Sequence, residues 1–239
     1  MAAGLRAALL EASTPLLGGD TGSAPSAHFT GVGLGLCDGK PLSRMGMLPG
    51  DVLCLTGKMG RGPAWGFRRL VGDRKHVLHE NDFRPRARIA AGQALRGHAT
   101  AAMDTSDGLA STLNTLRELN GVGLELFWDE RWLDAKAVKY CRSMGLSPLS
   151  LLFGEHGDFQ LVASVPAKLV DDVRSHVDDL HVIGRVLPRK QGVRLTTSAG
   201  ASRPLEIDLV ARARKDTLAE LTRAFKKLVA YSEKLSERR

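Results

Sequence analysis

The sequence of 239 residues is poor in cysteine and in aromatic residues, and it contains no long apolar run. Its three cysteines, Cys37, Cys54 and Cys141, are widely spaced and odd in number, which argues against a disulfide framework and suits a reducing compartment. No stretch approaches the roughly 18 apolar residues that a membrane-spanning helix requires. Since the N-terminal region also lacks a cleavage-site pattern, we expect a cytoplasmic protein without a signal peptide.

Three common signatures of catalytic or metal sites are also missing. Residues 57–62 are rich in glycine, but the Gly-Lys pair is not followed by Ser or Thr, so the standard phosphate-loop pattern fails. His76 and His79 are three residues apart, yet no Cys or His pair has zinc-finger spacing. Without a Gly-x-Ser-x-Gly or a Cys/His arrangement, a covalent nucleophile has no support either.

Aromatic residues make up 5% of the chain, whereas the net charge is +8 and is unevenly distributed. Residues 58–98 carry ten Lys or Arg against three Asp or Glu, and residues 212–239 carry nine against four. Basic surfaces of this kind attract polyphosphates, whether nucleotide, cofactor or nucleic acid. Because no helix-turn-helix, zinc-finger or RNA-recognition pattern is present, a solvated basic face is favoured over nucleic-acid binding.

The spacing of apolar and turn residues predicts a mixed α/β chain without internal repeats. We expect helices over residues 2–12, 64–70, 89–96, 108–120, 135–144, 168–177 and 216–235, and strands over residues 28–36, 51–56, 122–127, 159–165 and 181–186. The polar stretch 76–88, interrupted by Pro85, is expected to separate two domains. The apolar stripe of the last helix is expected to pack on the body of the protein or on a partner subunit.

Two segments place a carboxylate beside small residues where an apolar run breaks into flexible backbone. They are residues 102–109, with Asp104 and Asp107, and residues 16–21, with Asp20. Mg²⁺ prefers oxygen ligands, usually one or two carboxylates with substrate phosphates, and glycine lets the backbone approach a phosphate closely. The sequence therefore predicts a magnesium–phosphate site. Two alternatives remain open: Ser106 or Asp107 acts only as a helix cap, and Asp20 only closes an Asx-turn.

Four segments resemble, in this order, motifs of the thiamine-monophosphate kinases and of the wider aminoimidazole-ribonucleotide synthetase (AIR synthase, PurM-like) superfamily. They are the Gly-Gly-Asp-Thr turn at 18–21, the Pro-Gly-Asp…Thr-Gly strand at 49–57, the Arg-Pro-x-Arg start at 84–88 and the Asp-x-Ser-Asp-Gly-Leu helix start at 104–109. The first and last of these are specific, and the other two are weak alone. The resemblance runs from about residue 1 to about residue 195.

This resemblance implies an α/β (α+β) protein with a two-domain AIR synthase-like fold and a truncated first domain. The remnant of that domain is expected at residues 1–81, the α/β C-terminal domain at 82–205, and a basic amphipathic helix at 206–239. The implied function is an ATP- and Mg²⁺-dependent phosphotransferase acting on a small metabolite. The alternative is a non-catalytic or partner-dependent relative that binds nucleotide.

The resemblance also implies roles for individual residues. Asp20 and Asp107 are expected to be catalytic and to hold Mg²⁺. The expected nucleotide-binding residues are Gly19, Asp20, Thr21, Ser106, Asp107 and Gly108. Asp158 and Phe159 are expected to line the side of the cleft that binds the acceptor.

The sequence departs from the family pattern in two places. Family members carry a long segment with further acidic residues before the Gly-Gly-Asp-Thr turn, so we expect a homodimer or a hetero-assembly that supplies the missing half of the first domain. Residues 154–161 correspond to the family's Gly-Gly-Glu-Asp-Tyr-Glu-Leu segment. Aligning Asp158 with the aspartate of that segment places Gly157 where the family has glutamate.

Overall fold

The structure is a computed structural model that describes residues 2–73, 83–209 and 217–237. Its contacts divide the chain into two compact units, one ending at Pro41 and the other beginning at Leu42. The first unit contains helix α1 (Ala2–Glu11), followed by chain without regular secondary structure. Among the described helices of both units, none combines the length and the apolarity needed to cross a membrane.

The prediction of a strand over residues 28–36 is wrong. This segment forms no strand, and its apolar side chains are exposed, with Leu34 at 82% and Leu36 at 104%. Glycines alternate with the apolar residues at 31, 33 and 35, and glycine in a strand weakens it because it loses more backbone entropy and has no side chain to pack. Alternation alone therefore predicted a strand that has no partner among the described residues.

The second unit is built on a seven-stranded sheet, which confirms the mixed α/β class. The strands are β1 (Val52–Thr56), β2 (Ala101–Asp104), β3 (Val122–Phe127), β4 (Leu161–Val165), β5 (Leu180–Pro188), β6 (Val193–Thr196) and β7 (Ser202–Pro204). Their spatial order is β2-β4-β1-β5-β3-β6-β7, and every pair is antiparallel except β3 with β6. The short strands β2, β6 and β7 were not predicted, because three or four residues carry little periodic signal.

Helices cover both faces of this sheet. They are α2 (Arg61–Leu70), α3 (Ile89–Leu95), α4 (Leu109–Asn120), α5 (Ala135–Ser143), α6 (Val170–His176) and α7 (Leu218–Glu237). The larger core cluster contains residues of α2, α4, α5 and α7, and the smaller one contains residues of α3 and α6. Each of these helices was predicted from periodicity to within a few residues.

Strand β1 lies in the middle of the sheet, between β4 and β5. Its Leu53 and Leu55 are fully buried in the core of the second unit. Strand β1 therefore belongs to the second unit, which begins at residue 42, and the domain boundary expected at residues 81 and 82 stays a prediction. Part of the predicted boundary stretch, residues 74–82, lies outside the described residues.

Helix α7 packs on the body of the second unit, which confirms one of the two expectations for its apolar stripe. Leu228 and Leu235 are buried in the larger core cluster. Its start is a capping box: the backbone N–H of Glu220 donates to Thr217 Oγ1 (3.2 Å), and the N–H of Thr217 donates to the Glu220 carboxylate (3.1 Å). Thr217 is therefore the N-cap of α7, close to the start that the sequence predicts at residue 216.

Candidate functional site

Two of the predicted site segments meet at one end of the sheet. Strand β2 ends at Asp104, which pairs with Leu161 at the beginning of the antiparallel strand β4. Residues 105–108 after β2 and residues 154–160 before β4 therefore lie side by side. The backbone N–H of Thr105 donates to the Gln160 carbonyl (2.8 Å), and the N–H of Gln160 donates to Thr105 Oγ1 (3.0 Å). We call these segments the 105–108 loop and the 154–160 loop.

Glycines allow the two loops to touch through their backbones. A Cβ atom on Gly108 would lie 1.9 Å from the Gly154 carbonyl oxygen, and one on Gly157 would lie 2.2 Å from the Thr105 carbonyl oxygen. No side chain fits at either position without moving backbone atoms. The family has glutamate at the position aligned with Gly157. In this chain the packing of the two loops leaves no room for a residue larger than glycine there.

The carboxylate of Asp107 is exposed, and it makes no hydrogen bond or ion pair with any described residue. The prediction that Ser106 or Asp107 caps α4 is wrong. The N-cap is Gly108, with φ 85° and no side-chain hydrogen bond to the helix, because the chain approaches α4 in a conformation that only glycine adopts readily. Asp107 thus stands immediately before a helix start with both oxygens available to a ligand.

Asp104 shapes the turn that presents Asp107. The backbone N–H of Ser106 donates to Asp104 Oδ2 (3.1 Å), and Arg44 approaches Oδ1 at 3.8 Å. The hydrogen bond from the Ser106 side chain is the main cause that lowers the pKa of Asp104, with a smaller contribution from Arg44 and opposition from partial burial. The turn therefore carries a second carboxylate that is ionised at neutral pH.

Asp158 lies on the 154–160 loop, but its carboxylate is buried. Its two oxygens accept the backbone N–H groups of Gly60 (2.6 Å) and Gly62 (2.9 Å), at the start of α2. Burial raises the pKa of Asp158 to about 6, and the N–H donors partly offset that effect. Both oxygens thus tie the glycine-rich stretch 57–62 to the 154–160 loop. The predicted acceptor contact of Asp158 stays a prediction.

Phe159, the second predicted acceptor residue, has a left-handed backbone with φ 55° and a side chain that is 41% exposed. A left-handed conformation is rare for a bulky residue and costs of order 1–3 kcal/mol. It persists here because the neighbours on both sides, Asp158 and Gln160, are buried and hydrogen-bonded. The loop therefore holds one aromatic side chain at its surface.

Arg88 was not singled out by the sequence, although it belongs to the Arg-Pro-x-Arg-x-Arg run. Its Nε donates to Gln160 Oε1 (2.6 Å), which places the guanidinium beside the 154–160 loop. Its two terminal amino groups make no hydrogen bond to the described residues. A Cβ atom on Gly57 would lie 2.3 Å from Arg88 Nη2, so glycine at 57 leaves room for this cation.

Asp20, Gly19 and Thr21 belong to the first unit, in an exposed stretch without regular structure. The Thr21 N–H donates to Asp20 Oδ1 at 2.9 Å. Asp20 and Asp107 belong to different units, and their predicted pairing on one metal ion stays a prediction. Within the described ranges, no group of three or more His, Cys, Asp or Glu side chains is arranged to hold a metal ion.

The donor chemistry nevertheless suits a magnesium–phosphate group. Such a group is commonly held by one or two protein carboxylates, with substrate phosphates and water completing the octahedral shell. Asp107 offers a carboxylate that no described residue contacts through a hydrogen bond or ion pair, and Arg88 offers terminal N–H groups that no described residue accepts, which suit phosphate oxygens. The second unit thus supplies a carboxylate that suits the metal ion and a cation that suits the phosphate, which is part of what such a group requires.

Comparison with known proteins gives consistent matches. Residues 49–196 match the family model described as AIR synthase related protein, C-terminal domain, and this match crosses residue 82. Thiamine-monophosphate kinase of Halobacterium salinarum is 35% identical over 162 residues, which cover 66% of this chain and 53% of that protein. The enzyme of the same name from Methanopyrus kandleri is 27% identical over 202 residues, covering 83% and 63%.

A solved structure described as AaThiL complexed with AMPPCP and TMP is also similar. The two chains are 26% identical with a TM-score of 0.56, and the match covers 69% of this chain and 52% of the other. The chain thus spans about half the length of the relatives that it matches, from 53% to 63% for the two kinases.

Proposed function

Because the chain belongs to the AIR synthase related family, we propose that it takes part in ATP-dependent phosphoryl transfer to a small metabolite, as a relative of the thiamine-monophosphate kinases. The observation that carries this proposal is the free, exposed carboxylate of Asp107 on a turn packed against the 154–160 loop. The similar structure with bound AMPPCP, an ATP analogue, supports the choice of nucleotide.

Phosphoryl transfer depends mainly on positioning and on neutralising the charge of the transferred group. A bound Mg²⁺ ion supplies most of that neutralisation. In this proposal Asp107 and, from the first unit, Asp20 hold the ion. Ser106, Gly108, Gly19 and Thr21 contact the nucleotide through hydroxyl and backbone groups.

Three further side chains complete the proposed site. The terminal amino groups of Arg88 donate to phosphate oxygens from the side of the 154–160 loop. Phe159 offers its exposed ring to the acceptor. Asp158 contributes through the loop on the acceptor side, which its two oxygens anchor to the start of α2. The acceptor is a small phosphorylated or carboxylated metabolite, with thiamine monophosphate as the first candidate.

We also propose that the working form is a homodimer or a hetero-assembly. Residues 28–36 expose apolar side chains that no described residue covers, with Leu34 at 82% and Leu36 at 104%. Exposed apolar segments of this kind mark contact surfaces. Sedimentation at micromolar concentration is expected to give a species larger than one chain, and a clean monomer would contradict this part of the proposal.

Calorimetric titration of ATP into the chain, with and without Mg²⁺, tests the nucleotide site. We expect binding that requires Mg²⁺ and that weakens by about tenfold or more in Asp107→Asn, because one charged ligand is lost. Asp178→Asn is the matched control, since it makes the same change at an exposed aspartate between α6 and β5.

Three outcomes are informative. Mg²⁺-dependent binding with turnover of thiamine monophosphate supports the kinase. Mg²⁺-dependent binding without turnover of any acceptor supports instead the non-catalytic, nucleotide-binding relative. Absence of Mg²⁺-dependent binding, or equal affinity in wild type and Asp107→Asn, rejects the assignment of Asp107.

A further inference from the structure

Helix α7 presents a row of cations on the side that faces away from the body of the second unit. Its inner side is apolar, with Leu228 and Leu235 buried in the larger core cluster. The exposed cations on its outer side are Arg223, Lys226, Lys227 and Lys234. At roughly 3.6 residues per turn, these four positions fall within about 100° of the helix circumference. We call them the basic face of α7.

The basic face is not neutralised by the described part of the chain. None of its four side chains forms a hydrogen bond or an ion pair with a described residue. Of the acidic residues nearby on α7, Glu220 already accepts hydrogen bonds from Thr217, and Glu233 is exposed beside the cations. Glu206 and Asp208 lie on the flank of the helix, where they act on the Tyr231 hydroxyl. The face therefore keeps its positive charge.

The side chains outside the description do not reverse this charge. Residues 210–216 and 237–239, which flank α7 in the sequence, contain five Lys or Arg against one Asp and one Glu. Residues 74–82 contain two Lys or Arg against two Asp or Glu. Taken together, these segments add positive charge. The match to the family model ends at residue 196, so the basic face belongs to a part of the chain beyond that match.

The composition of the basic face disfavours a membrane or a protein as its partner. An amphipathic helix that binds a membrane inserts its apolar side between the lipids, whereas the apolar side of α7 is occupied by the core. A protein interface generally needs an apolar centre. Ala230 is the one apolar side chain among the cations of this face, and it is too small to fill such a centre.

Binding of single-stranded nucleic acid is disfavoured for a different reason. Proteins that hold single strands combine cations with aromatic rings on which the bases stack. Both aromatic rings of α7 face the body instead: the Phe225 ring centroid lies 5.0 Å from that of Phe67, and the Tyr231 centroid lies 5.6 Å from that of Phe153. The basic face thus offers charge without a stacking surface, which suits a partner whose phosphates are already held in a fixed array.

We propose that the basic face of α7 binds the phosphate backbone of a nucleic-acid duplex without reading its sequence. Lys234 comes eleven residues after Arg223, so the face is about 16 Å long. A duplex carries about ten phosphate charges over that length. The sequence lacks base-reading motifs, but contact confined to phosphates requires none.

This binding is separate from the proposed phosphoryl transfer, so its test uses EDTA and no nucleotide. The whole chain is titrated into a labelled DNA duplex of about 20 base pairs, and fluorescence anisotropy gives a Kd of roughly 10⁻⁶ to 10⁻⁴ M at physiological salt. The logarithm of the association constant is expected to fall with the logarithm of the NaCl concentration with a slope of about −3.6 or steeper, because each of four neutralised phosphates contributes about −0.9. A duplex of unrelated sequence is expected to bind equally well.

A four-site variant removes the basic face, and a control variant makes the same change of net charge on other elements. The four-site variant combines Arg223→Gln, Lys226→Gln, Lys227→Gln and Lys234→Gln. The control combines Lys139→Gln, Lys168→Gln, Arg189→Gln and Lys190→Gln, all at exposed positions. We expect the four-site variant to lose at least about tenfold in duplex affinity near 100 mM NaCl, with a slope shallower by about 3.6, and the control to change the slope by less than about 1.

Circular dichroism establishes that the variants are folded, and the double variant Lys226→Gln, Lys227→Gln, with a slope shallower by about 1.8, carries the test if the four-site variant is not. A single strand of the same length and vesicles containing phosphatidylserine are expected to bind more weakly than the duplex. Absence of duplex binding near 50 mM NaCl, equal losses in the four-site and control variants, or tighter binding of the single strand or the vesicles overturns the proposal. None of these results bears on the proposed kinase function.

Discussion

Gly108→Ala is expected to lower the free energy of unfolding by about 3–5 kcal/mol, through steric overlap and backbone strain together. The added Cβ atom would lie 1.9 Å from the Gly154 carbonyl oxygen and 3.0 Å from the Gly154 carbonyl carbon, so the two loops would have to separate. In addition, the backbone at 108 has φ 85° and ψ 162°, a region that residues with a Cβ atom avoid. Urea denaturation measures the loss.

Gly121→Ala is the matched control for Gly108→Ala. Gly121 lies at the other end of α4 and also has positive φ, at 61°, but a Cβ atom there meets nothing within 4 Å. Only the strain of the left-handed backbone applies, so we expect a loss of about 1 kcal/mol. Equal losses in the two variants would show that the close approach of the 105–108 and 154–160 loops contributes no stability. That result would contradict the packing on which the candidate site depends.

The contribution of Asp158 to stability is expected to decrease by about 3 kcal/mol as the pH rises from about 4 to about 7. Burial raises the folded-state pKa of Asp158 from 3.8 to about 6. An acid with a raised pKa binds its proton more tightly in the folded state than in the unfolded state. The folded state is therefore favoured below pH 4, and that advantage is lost as the pH rises through the folded-state pKa.

Comparison of wild type with Asp158→Asn isolates this effect, because the variant cannot titrate at that position. The difference in unfolding free energy, wild type minus variant, is expected to fall across this pH interval. Asp104→Asn provides a control of opposite sign, since the Ser106 hydrogen bond lowers the pKa of Asp104 and its contribution is lost as the pH falls. If the Asp158 difference instead rises with pH, the N–H groups of Gly60 and Gly62 stabilise the carboxylate more than burial penalises it.

The sequence predicted those parts of the fold that depend on local pattern. Helix α4 is the clearest case, because apolar residues recur at helical spacing and the Asn120-Gly121 pair ends the helix with a left-handed glycine. Apolar alternation likewise predicted β3. The same rule was wrong for residues 28–36, because a strand also needs a partner and pattern alone does not supply one.

The site was predicted in part. The motif indicated the residues of the 105–108 loop, yet the helix cap was assigned to Ser106 or Asp107 because those residue types usually cap helices. The actual cap is Gly108, a choice set by its contact with Gly154, 46 residues later in the chain. The buried anchoring of Asp158 and the approach of Arg88 to Gln160 are also long-range contacts. Short-range spacing contains no information about them.

The central position of β1 has a consequence for how the second unit acquires its structure. Both neighbours of β1 come late in the sequence: Val52 pairs with Val165 on one side and with Arg185 on the other, roughly 110 and 130 residues away. Closing chain segments of that length is entropically costly, and such non-local pairing slows folding. During synthesis, β1 emerges long before β4 and β5, and its apolar residues have no sheet to join. We therefore expect β1 to be the segment that most needs chaperone protection as the chain is made. The sheet around β1 is expected to form only once β5 has been synthesised.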